Sequence, residues 1–310
     1  MTKSPILSVV ILYYNSGHYL EQCLDTLNKS DLKNYRIETI IVNNGATDNI
    51  VKNLEKKYPH LPNINPKFVY SPTNLGFSGG NNFGLKFIST NTKYILFCND
   101  DMEFFPDTIS QMIDFMESDN NVDAATGYVT LASTGKLANE THRGFPTPWN
   151  TFWHFFGLGI PKLFPQTKLF HGYLGDYKEY KEVQQLECCQ GCFLMVKKLV
   201  GETIGWWSEK YFFLGEDLDF CYQLKKHNFK LFFNPSAKII HYHGVSSGLQ
   251  KTKSTATRAS KVRSALASTA AMRTFYEQNL MSDYPVVLHP VINLGITLLQ
   301  VYRVFKAKYL

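Results

Sequence analysis

Three clusters of carboxylate, amide and imidazole side chains could do chemistry in this 310-residue chain. The first is Asn99-Asp100-Asp101, which follows an apolar run. On an extended chain Asn99 and Asp101 share one face because they are two positions apart. A carboxylate at that place could hold Mg²⁺ or Mn²⁺ against a diphosphate. The alternative is an acidic turn that caps the next helix, and these residues alone favour it.

The second cluster, Glu216, Asp217 and Asp219, lies where a helix is predicted to begin. A helix N-terminus favours negative charge, and three neighbouring aromatic residues at 211–213 predict a partly apolar cleft. One of the acids could therefore act as a general base towards a sugar hydroxyl. Helix capping and solvated surface charge are the other interpretation of the same residues.

The third cluster is the segment from His241 to Gly248, just after a predicted strand. A neutral imidazole in this position can bind a metal ion. His241 and His243 are both candidates. A hydrogen-bonded surface histidine is the alternative for each.

Short β-branched runs alternate with helical patterns in the first half of the chain. Strands are predicted over 7–13, 38–42, 67–70 and 94–98. Helices are predicted over 18–28, 48–58 and 106–117, and a glycine-rich loop over 74–84 is followed by a helix to 89. This alternation predicts an α/β fold with a mainly parallel sheet flanked by helices. Ligands of such sheets bind beyond the carboxyl ends of the strands, which is where the polar clusters fall.

The alternation breaks between residues 139 and 187, where aromatic residues, prolines and glycines predict an irregular flap or a set of short helices on the acceptor side of a cleft. Further strands are predicted over 189–196 and 229–233, with a helix over 216–227 between them. The pattern divides the chain into a domain over 1–250 and a helical C-terminal extension over 251–310.

In chain order, these motifs resemble those of glycosyltransferase family 2, a large inverting group with the GT-A fold. The segment from Asn74 to Asn82 reads NLGFSGGNN and is close to a loop of the rhamnosyltransferase-like members. The other matching segments are Ser8–Asn15 (first strand and turn), Ile40–Asp48 (nucleoside-binding turn), Asn99–Asp101 (the DxD position), Gly215–Asp219 (the ED base motif) and Ile240–Ser246 (a His–Gly–Ser element).

The resemblance implies a role for each matching residue. Asp217 would be the catalytic base with Glu216 beside it, Asp101 and His241 would hold Mg²⁺ or Mn²⁺, and Gln190 and Gly191 would line the acceptor side. The remaining positions would bind the donor, the glycines by letting backbone approach it closely: Tyr13, Tyr14, Asn15, Asn43, Asn74, Gly76, Phe77, Gly79, Gly80, Asn82, Asn99 and Asp100.

The implied reaction moves a sugar from a nucleotide-diphosphate donor to a hydroxyl of a glycan or lipid-linked glycan, with inversion. The loop from Asn74 to Asn82 favours rhamnose as the transferred sugar, and galactofuranose, glucose and N-acetylated sugars are the alternatives. Asn43 and Asn99 stand where relatives usually have aspartate. These substitutions make a catalytically inactive nucleotide-sugar-binding module one alternative. A nucleotidyltransferase, which would share the sheet and an acidic metal site, is the other.

The net charge of +6 is concentrated in the tail, because the chain from Lys251 onward has nine basic and two acidic residues. Residues 285–310 are apolar but interrupted by polar positions, so they predict a helix lying on a membrane surface more than one that crosses it. Packing on the protein or on a dimer partner is the alternative. Six cysteines without a regular framework and an N-terminus without a signal peptide predict a cytoplasmic protein, and no nucleic-acid partner is expected.

Overall fold

The structure is a computed structural model that describes residues 6–59, 61, 63–138, 141–157, 159–164, 167–175, 179–242 and 258–309. His243, the rest of the predicted His–Gly–Ser element and the predicted domain boundary at 250 lie outside the described residues.

The first half of the chain forms the parallel part of a sheet. Strands β1 (Leu7–Tyr13), β2 (Ile37–Asn44) and β3 (Pro66–Ser71) pair in parallel, and β4 (Tyr94–Asn99) pairs in parallel with β1. Apolar residues fill both faces of β1 and β2, as expected of strands that are covered on two sides. The predicted strand and helix alternation is confirmed, with helices α1 (Tyr19–Asn28), α2 (Ile50–Lys57), α3 (Gly76–Leu85) and α4 (Thr108–Ser118).

The glycine-rich segment is itself helix α3, whereas the sequence predicted a loop that leads into a helix. A Cβ atom on Gly84 would come within 2.8 Å of Val10 Cγ1, and one on Gly80 would overlap the Leu12 side chain. Glycine therefore lets α3 pack directly on β1. This contact compensates for the weak helix propensity of glycine.

The second half of the sheet contains both antiparallel and parallel strand pairs. Strands β5 (Met102–Phe104), β6 (Ala124–Leu131), β7 (Gln184–Leu186), β8 (Phe193–Lys197) and β9 (Leu231–His241) complete the described sheet, in the order β3-β2-β1-β4-β8-β6-β9-β5 with β7 also on β9. The fold is thus α/β with a mixed sheet. β9 continues well beyond the predicted end at Phe233. Pro235 cannot donate a ladder hydrogen bond, and the pairing of β9 with β6 shifts register around it and then resumes.

The flap consists of short helices, one of the two forms predicted for it. They are α5 (Pro148–Phe156), a 3₁₀ turn (Ile160–Leu163) and α6 (Lys168–His171). Thr147 caps α5 by accepting a hydrogen bond from the backbone N–H of Asn150 at 3.1 Å, and Pro148 occupies the first helical position.

The C-terminal part packs against the same core as the sheet. Its helices are α7 (Lys198–Ile204), α8 (Glu216–Lys226), α9 (Arg258–Phe275), a π-helical turn (Tyr276–Leu280) and α10 (His289–Tyr309). Phe275, Tyr276 and Leu280 are buried with residues of β4, β8 and α8. The extension is therefore anchored beside the catalytic candidates of α8.

The sequence predicted that polar interruptions prevent residues 285–310 from crossing a membrane. By length and composition alone, however, the helix is long and apolar enough to do so. The helical segment Val286–Tyr309 has 24 residues and contains an 18-residue stretch with a mean hydropathy of 1.2, little of which is buried. Length and composition alone do not separate a spanning helix from one that lies on a surface.

Candidate active site

The turns after β1 and β2 are held together at the carboxyl edge of the sheet. The Tyr13 hydroxyl donates to Asp48 at 2.6 Å, and the Thr47 backbone N–H donates to the Asn15 side chain at 3.0 Å. Asn43 closes its own turn by accepting from Ala46 N–H at 2.9 Å. These turns form the predicted nucleoside-binding edge.

One predicted contact in this edge is wrong. The ring of Tyr13 is fully buried in the core, so it cannot contact a nucleotide base. Tyr14 is 37% exposed and is the ring available for that contact. The sequence suggested both tyrosine rings because strand β1 ends at Tyr13. At the end of a strand the pattern of residues does not show which side chain faces the core.

The donor-binding candidates of α3 mostly contact the protein itself. Asn74 accepts from the Gly76 backbone N–H at 2.8 Å at the start of α3, and Asn82 donates to the carbonyl of Trp207 at 2.9 Å. Phe77 packs edge-on against Trp207, and a Cβ on Gly79 would lie 2.9 Å from Leu75 Cβ. The glycines therefore serve helix packing, and their close approach to a donor stays a prediction.

Close packing also requires glycine at two further predicted site positions. Gly76 has φ +73°, and a Cβ atom there would clash with the backbone of Phe212. Gly191, predicted on the acceptor side, lies against Trp207, where a Cβ would be 2.8 Å from the indole ring. Gln190 beside it is half-buried and accepts a hydrogen bond from the Cys192 thiol at 3.3 Å.

Asp101 and His241 meet although 140 positions separate them in the chain. Strand β5 pairs with β9 so that Met102 lies opposite His241, and the Tyr242 N–H donates to the Asp101 carbonyl at 3.0 Å. This register brings Asp101 Oδ1 to 3.1 Å from His241 Nε2, with both side chains almost fully buried. The structure thus brings together the two residues predicted as metal ligands.

Burial opposes a charge on His241, but the neighbouring Cys192 and Asp101 outweigh it and raise the pKa of His241 to about 10. A cation that binds His241 must therefore displace a proton. The oxygen donor of Asp101 and the nitrogen donor of His241 suit Mg²⁺ or Mn²⁺. Among the described residues, no group of three or more His, Cys, Asp and Glu side chains could hold a metal ion. The donor diphosphate and water would have to supply the remaining ligands.

Asn99 and Asp100 take positions that differ from the predicted extended geometry. Strand β4 ends at Asn99, and Asp100 and Asp101 form a turn, so Asn99 and Asp101 are not alternate residues of one strand. The Asp100 carboxylate accepts from the Ser16 hydroxyl in the turn after β1. Burial, and then the charge of Asp101, raise the pKa of Asp100 to about 8. Asp100 therefore links two loops of the site.

The acids of the second cluster begin helix α8, as predicted. Leu214 and Gly215 both have left-handed backbone just before it, and a Cβ on Gly215 would lie 2.9 Å from Ala271 Cβ of α9. Asp217 Oδ1 accepts from the Leu218 N–H at 2.8 Å. Such strained entry turns are common where side chains are aimed at a ligand.

Arg143 of the flap pairs with Asp217, and sequence reasoning missed it. Its Nη2 lies 2.6 Å from Asp217 Oδ2, and both side chains are largely buried. A backbone bridge between Arg143 and Cys188 fixes the arginine against the core. The flap has no helical or strand periodicity at this point, so its position beside α8 had no signal in the sequence.

The segment from Cys188 to Cys192 joins the two parts of the site. The Cys188 thiol donates to the Asp217 carbonyl at 3.9 Å, and Cys192 lies beside His241 and contributes to its raised pKa. Five consecutive residues span at most about 14 Å between their end Cα atoms. The backbone of Asp217 and the side chain of His241 therefore contact opposite ends of one short segment.

Asp219 connects this helix to the C-terminal extension. Its carboxylate is buried and accepts from Asn279 Nδ2 at 2.6 Å, while Gln223 donates to the Asn279 side-chain carbonyl at 3.0 Å. The Tyr222 hydroxyl donates to the Asn279 backbone carbonyl at 2.9 Å. Asp219 is thus a structural member of the acidic cluster, and it holds the first turn of α8 in place.

Glu216 should make the protein less stable as the pH rises. Burial, and then the charge of Asp217, raise the pKa of Glu216 to about 8. The folded protein then keeps a proton that the unfolded chain loses above about pH 4.5, so stability falls between pH 4.5 and 8. We expect Glu216→Gln to increase the free energy of unfolding by a few kcal/mol at pH 9, since each pKa unit corresponds to about 1.4 kcal/mol.

The measurement is urea unfolding of both proteins at pH 5, 7 and 9. The gain should be largest at pH 9 and small at pH 5. Glu202→Gln, at an exposed position of α7, is the control and should show no such trend. A constant difference between Glu216→Gln and the parent at all three pH values would contradict the assignment.

A family model described as glycosyl transferase family 2 matches residues 8–200. The chain belongs to glycosyl transferase family 2. The matched region includes the donor-side turns and the Asn99–Asp101 turn, while α8 and His241 of this family 2 glycosyltransferase lie beyond it.

Curated relatives support the same assignment. The low-salt glycan biosynthesis hexosyltransferase Agl10 of Haloferax volcanii is 25% identical over 227 residues, which are 73% of this chain and 63% of that protein. The N-acetylglucosaminyl-diphospho-decaprenol L-rhamnosyltransferase of Mycobacterium tuberculosis is 21% identical over 259 residues, 78% of each chain. The chain thus spans less than two thirds of the haloarchaeal relative.

Solved structures show that the family 2 glycosyltransferase has the GT-A fold, as predicted. A mannosyltransferase from Pyrobaculum calidifontis in complex with GDP-Man and Mn²⁺ matches with a TM-score of 0.56 and 14% identity, over 99% of this chain and 74% of that one. TarS of S. aureus in complex with UDP-GlcNAc matches with a TM-score of 0.54 and 13% identity, over 96% and 81%.

Proposed function

We propose that this protein is an inverting, metal-dependent glycosyltransferase that transfers a sugar from a nucleotide-diphosphate donor to a hydroxyl of a glycan or lipid-linked glycan. The observation that supports it most is the buried Asp101–His241 pair, together with the Asp217 carboxylate that Arg143 fixes; the segment Cys188–Cys192 contacts both His241 and the backbone of Asp217. A cation-binding pair and a positioned carboxylate are the two parts that this reaction needs.

In the proposed mechanism Asp217 accepts the proton of the acceptor hydroxyl while that oxygen forms a bond to the anomeric carbon. The bond from this carbon to the diphosphate breaks in the same step, and the configuration inverts. Arg143 and the Leu218 N–H hold the two carboxylate oxygens, so the base is oriented before the acceptor arrives. Asn15, Asn43 and Tyr14 hold the nucleotide at the edge of the sheet.

Asp101 and His241 would hold the divalent cation, Mg²⁺ or Mn²⁺. When bound, the cation neutralises charge on the departing diphosphate. The solved neighbour with GDP-Man and Mn²⁺ supports this part of the proposal.

The proposed sugar is rhamnose, and the proposed process is cell-surface polysaccharide synthesis. The NLGFSGGNN segment and the mycobacterial relative named as an L-rhamnosyltransferase support this choice. The proposed location is the cytoplasmic side of the membrane, because the six cysteines are free and buried, as in a reducing compartment.

A thermal-shift panel tests the donor and the metal together. The purified protein is heated with each of several nucleotide sugars, deoxythymidine-diphosphate rhamnose among them, with Mn²⁺ or Mg²⁺ and again with EDTA. A ligand at about 100 times its Kd stabilises a protein by about 2.7 kcal/mol. We expect one donor to raise Tm only with the metal. Absence of a shift with every donor would favour an inactive module, and a metal-dependent shift with nucleoside triphosphates alone would favour a nucleotidyltransferase.

Arg143 should contribute to catalysis through its ion pair with Asp217 and through its charge near Glu216. We expect Arg143→Gln to lower kcat/KM by roughly 10- to 100-fold, because the base loses a bond that orients it. The positive charge of Arg143 also lowers the pKa of Glu216, the acid beside the base, so the part of the pH profile that follows the ionisation of Glu216 should move to higher pH in the variant.

The measurement is kcat/KM from pH 5.5 to 9, with Arg143→Lys as the charge-conserving variant. Lys168→Gln, which breaks another flap ion pair with Glu187, is the matched control and should leave the profile in place. An unchanged profile in Arg143→Gln would show that the arginine has only a packing role.

A further inference from the structure

Helix α10 exposes a continuous apolar stripe along its whole length. Val291, Leu294, Leu298, Val301 and Phe305 follow the three-and-four spacing of one helix face, and each is more than half exposed. Large apolar side chains in a row on a water-soluble surface are unusual and mark a contact surface.

The inner side of α10 combines the buried Ile296 and Leu299 with polar contacts to α9. Arg273 of α9 donates to Asn293 at 2.9 Å and to Thr297 at 3.1 Å, and Arg303 donates to Ser268 at 2.7 Å. Some of the polar residues that interrupt this apolar segment are therefore used in contacts with α9. The exposed part of α10 contains the apolar stripe together with Lys306 and Lys308.

The flap adds a second exposed apolar face next to α10. Trp149, Phe152 and Phe156 lie on one side of α5 and are between 39% and 50% exposed. The guanidinium of Arg303 lies 4.8 Å from the centre of the Phe155 ring, so α10 and α5 are neighbours. Arg143, which holds Asp217, belongs to the same flap.

Charge distinguishes the possible occupants of this surface. By sequence, residues 148–171, α9 and α10 contain basic residues and no acidic ones. Arg303 and Ser268 fix α9 and α10 as antiparallel neighbours, so Lys261 near the start of α9 comes close to Lys306 and Lys308. Two copies pairing through this surface would bring like charges together, whereas an anionic bilayer would complement them.

We propose that the outer face of α10 and the exposed face of α5 together dock the protein on the surface of an anionic lipid bilayer. This inference rests on the proposed function, which it deepens by placing the membrane beside the acceptor side of the site. The apolar side chains insert among the lipids and the lysines contact the headgroups. Tyr302 and Tyr309, exposed near Lys306 and Lys308, suit the interface between the two.

The test is co-sedimentation of the full chain, purified without detergent, with phosphatidylcholine vesicles that contain or lack phosphatidylglycerol. No donor is present, so the result does not depend on transfer. We expect binding to anionic vesicles that weakens with salt. Leu294→Ser/Leu298→Ser/Phe305→Ser and Trp149→Ser/Phe152→Ser should each weaken binding by about tenfold or more, because exposed apolar groups drive insertion. Leu199→Ser, at a 74% exposed position of α7, is the control and should bind like the parent.

Two further readouts make the outcomes decisive. Light scattering of the free protein should show that the parent and the α10 variant have the same oligomeric state, and a dimer lost in the variant would overturn the proposal in favour of a second copy. Protein bound in cell membranes should be released by an alkaline wash, and retention would mean that α10 spans the bilayer. Failure of vesicle binding with intact metal-dependent donor binding would reject the docking surface and leave the proposed function standing.

Discussion

Replacement of Asp217 by asparagine should lower kcat by about a thousandfold, because a positioned general base typically contributes 10²–10⁴-fold. The amide cannot accept the proton of the acceptor hydroxyl, although its shape is unchanged. Donor binding should persist, since the nucleotide edge of the sheet lies elsewhere. Initial rates of sugar transfer and the metal-dependent thermal shift with donor measure the two effects separately.

The ion pair with Arg143 provides the control for this variant. Asp217→Asn leaves a largely buried guanidinium without its anion, which should cost about 2 kcal/mol of stability. The double variant Arg143→Gln/Asp217→Asn removes both charges and should recover most of that stability without recovering activity. Full transfer activity in either protein would show that Asp217 is not the base.

Loss of either metal-ligand candidate should abolish the metal-dependent part of donor binding. We expect Asp101→Asn and His241→Gln to lose the increase in Tm that Mn²⁺ and donor produce together, because each variant removes one of the two protein ligands. The thermal-shift assay with and without EDTA measures this directly and does not need an active enzyme.

Metal binding should also become stronger as pH rises. His241 has a pKa near 10 in the metal-free protein, and the cation competes with that proton. The Mn²⁺ concentration for half-maximal shift should therefore fall between pH 6 and 9. Asp107→Asn, at the exposed start of α4, serves as the control. An unchanged metal response in both site variants would place the cation elsewhere.

The sequence predicted the strand ends beside the site better than the contacts between distant parts of the chain. Strands β1, β2 and β4 are buried apolar runs, so their ends, and the polar turns after them, could be recognised in the pattern. The approach of His241 to Asp101 depends on the register of β5 on β9, which no local pattern encodes. Only the resemblance to a family linked these two residues.

Packing decided the features that the sequence did not predict. Gly80 and Gly84 are read as loop residues by propensity, but close contact with β1 makes them helical. Arg143 could not be placed because its partner is 74 positions away across an irregular flap. The polar interruptions of α10 gave no indication of a partner, while in the structure Arg273 of α9 binds Asn293.

The hydrogen bond between Asn279 and Asp219 limits how such a chain can recombine with a relative. In a chimera of two such chains, a crossover between the sheet and the tail would combine α8 of one parent with the π-helical turn of the other. Unless both parents have a matching amide and acid, the chimera would leave a buried carboxylate unpaired next to the catalytic pair. Acceptor specificity that resides in the tail should therefore be inherited together with α8, as one evolutionary unit.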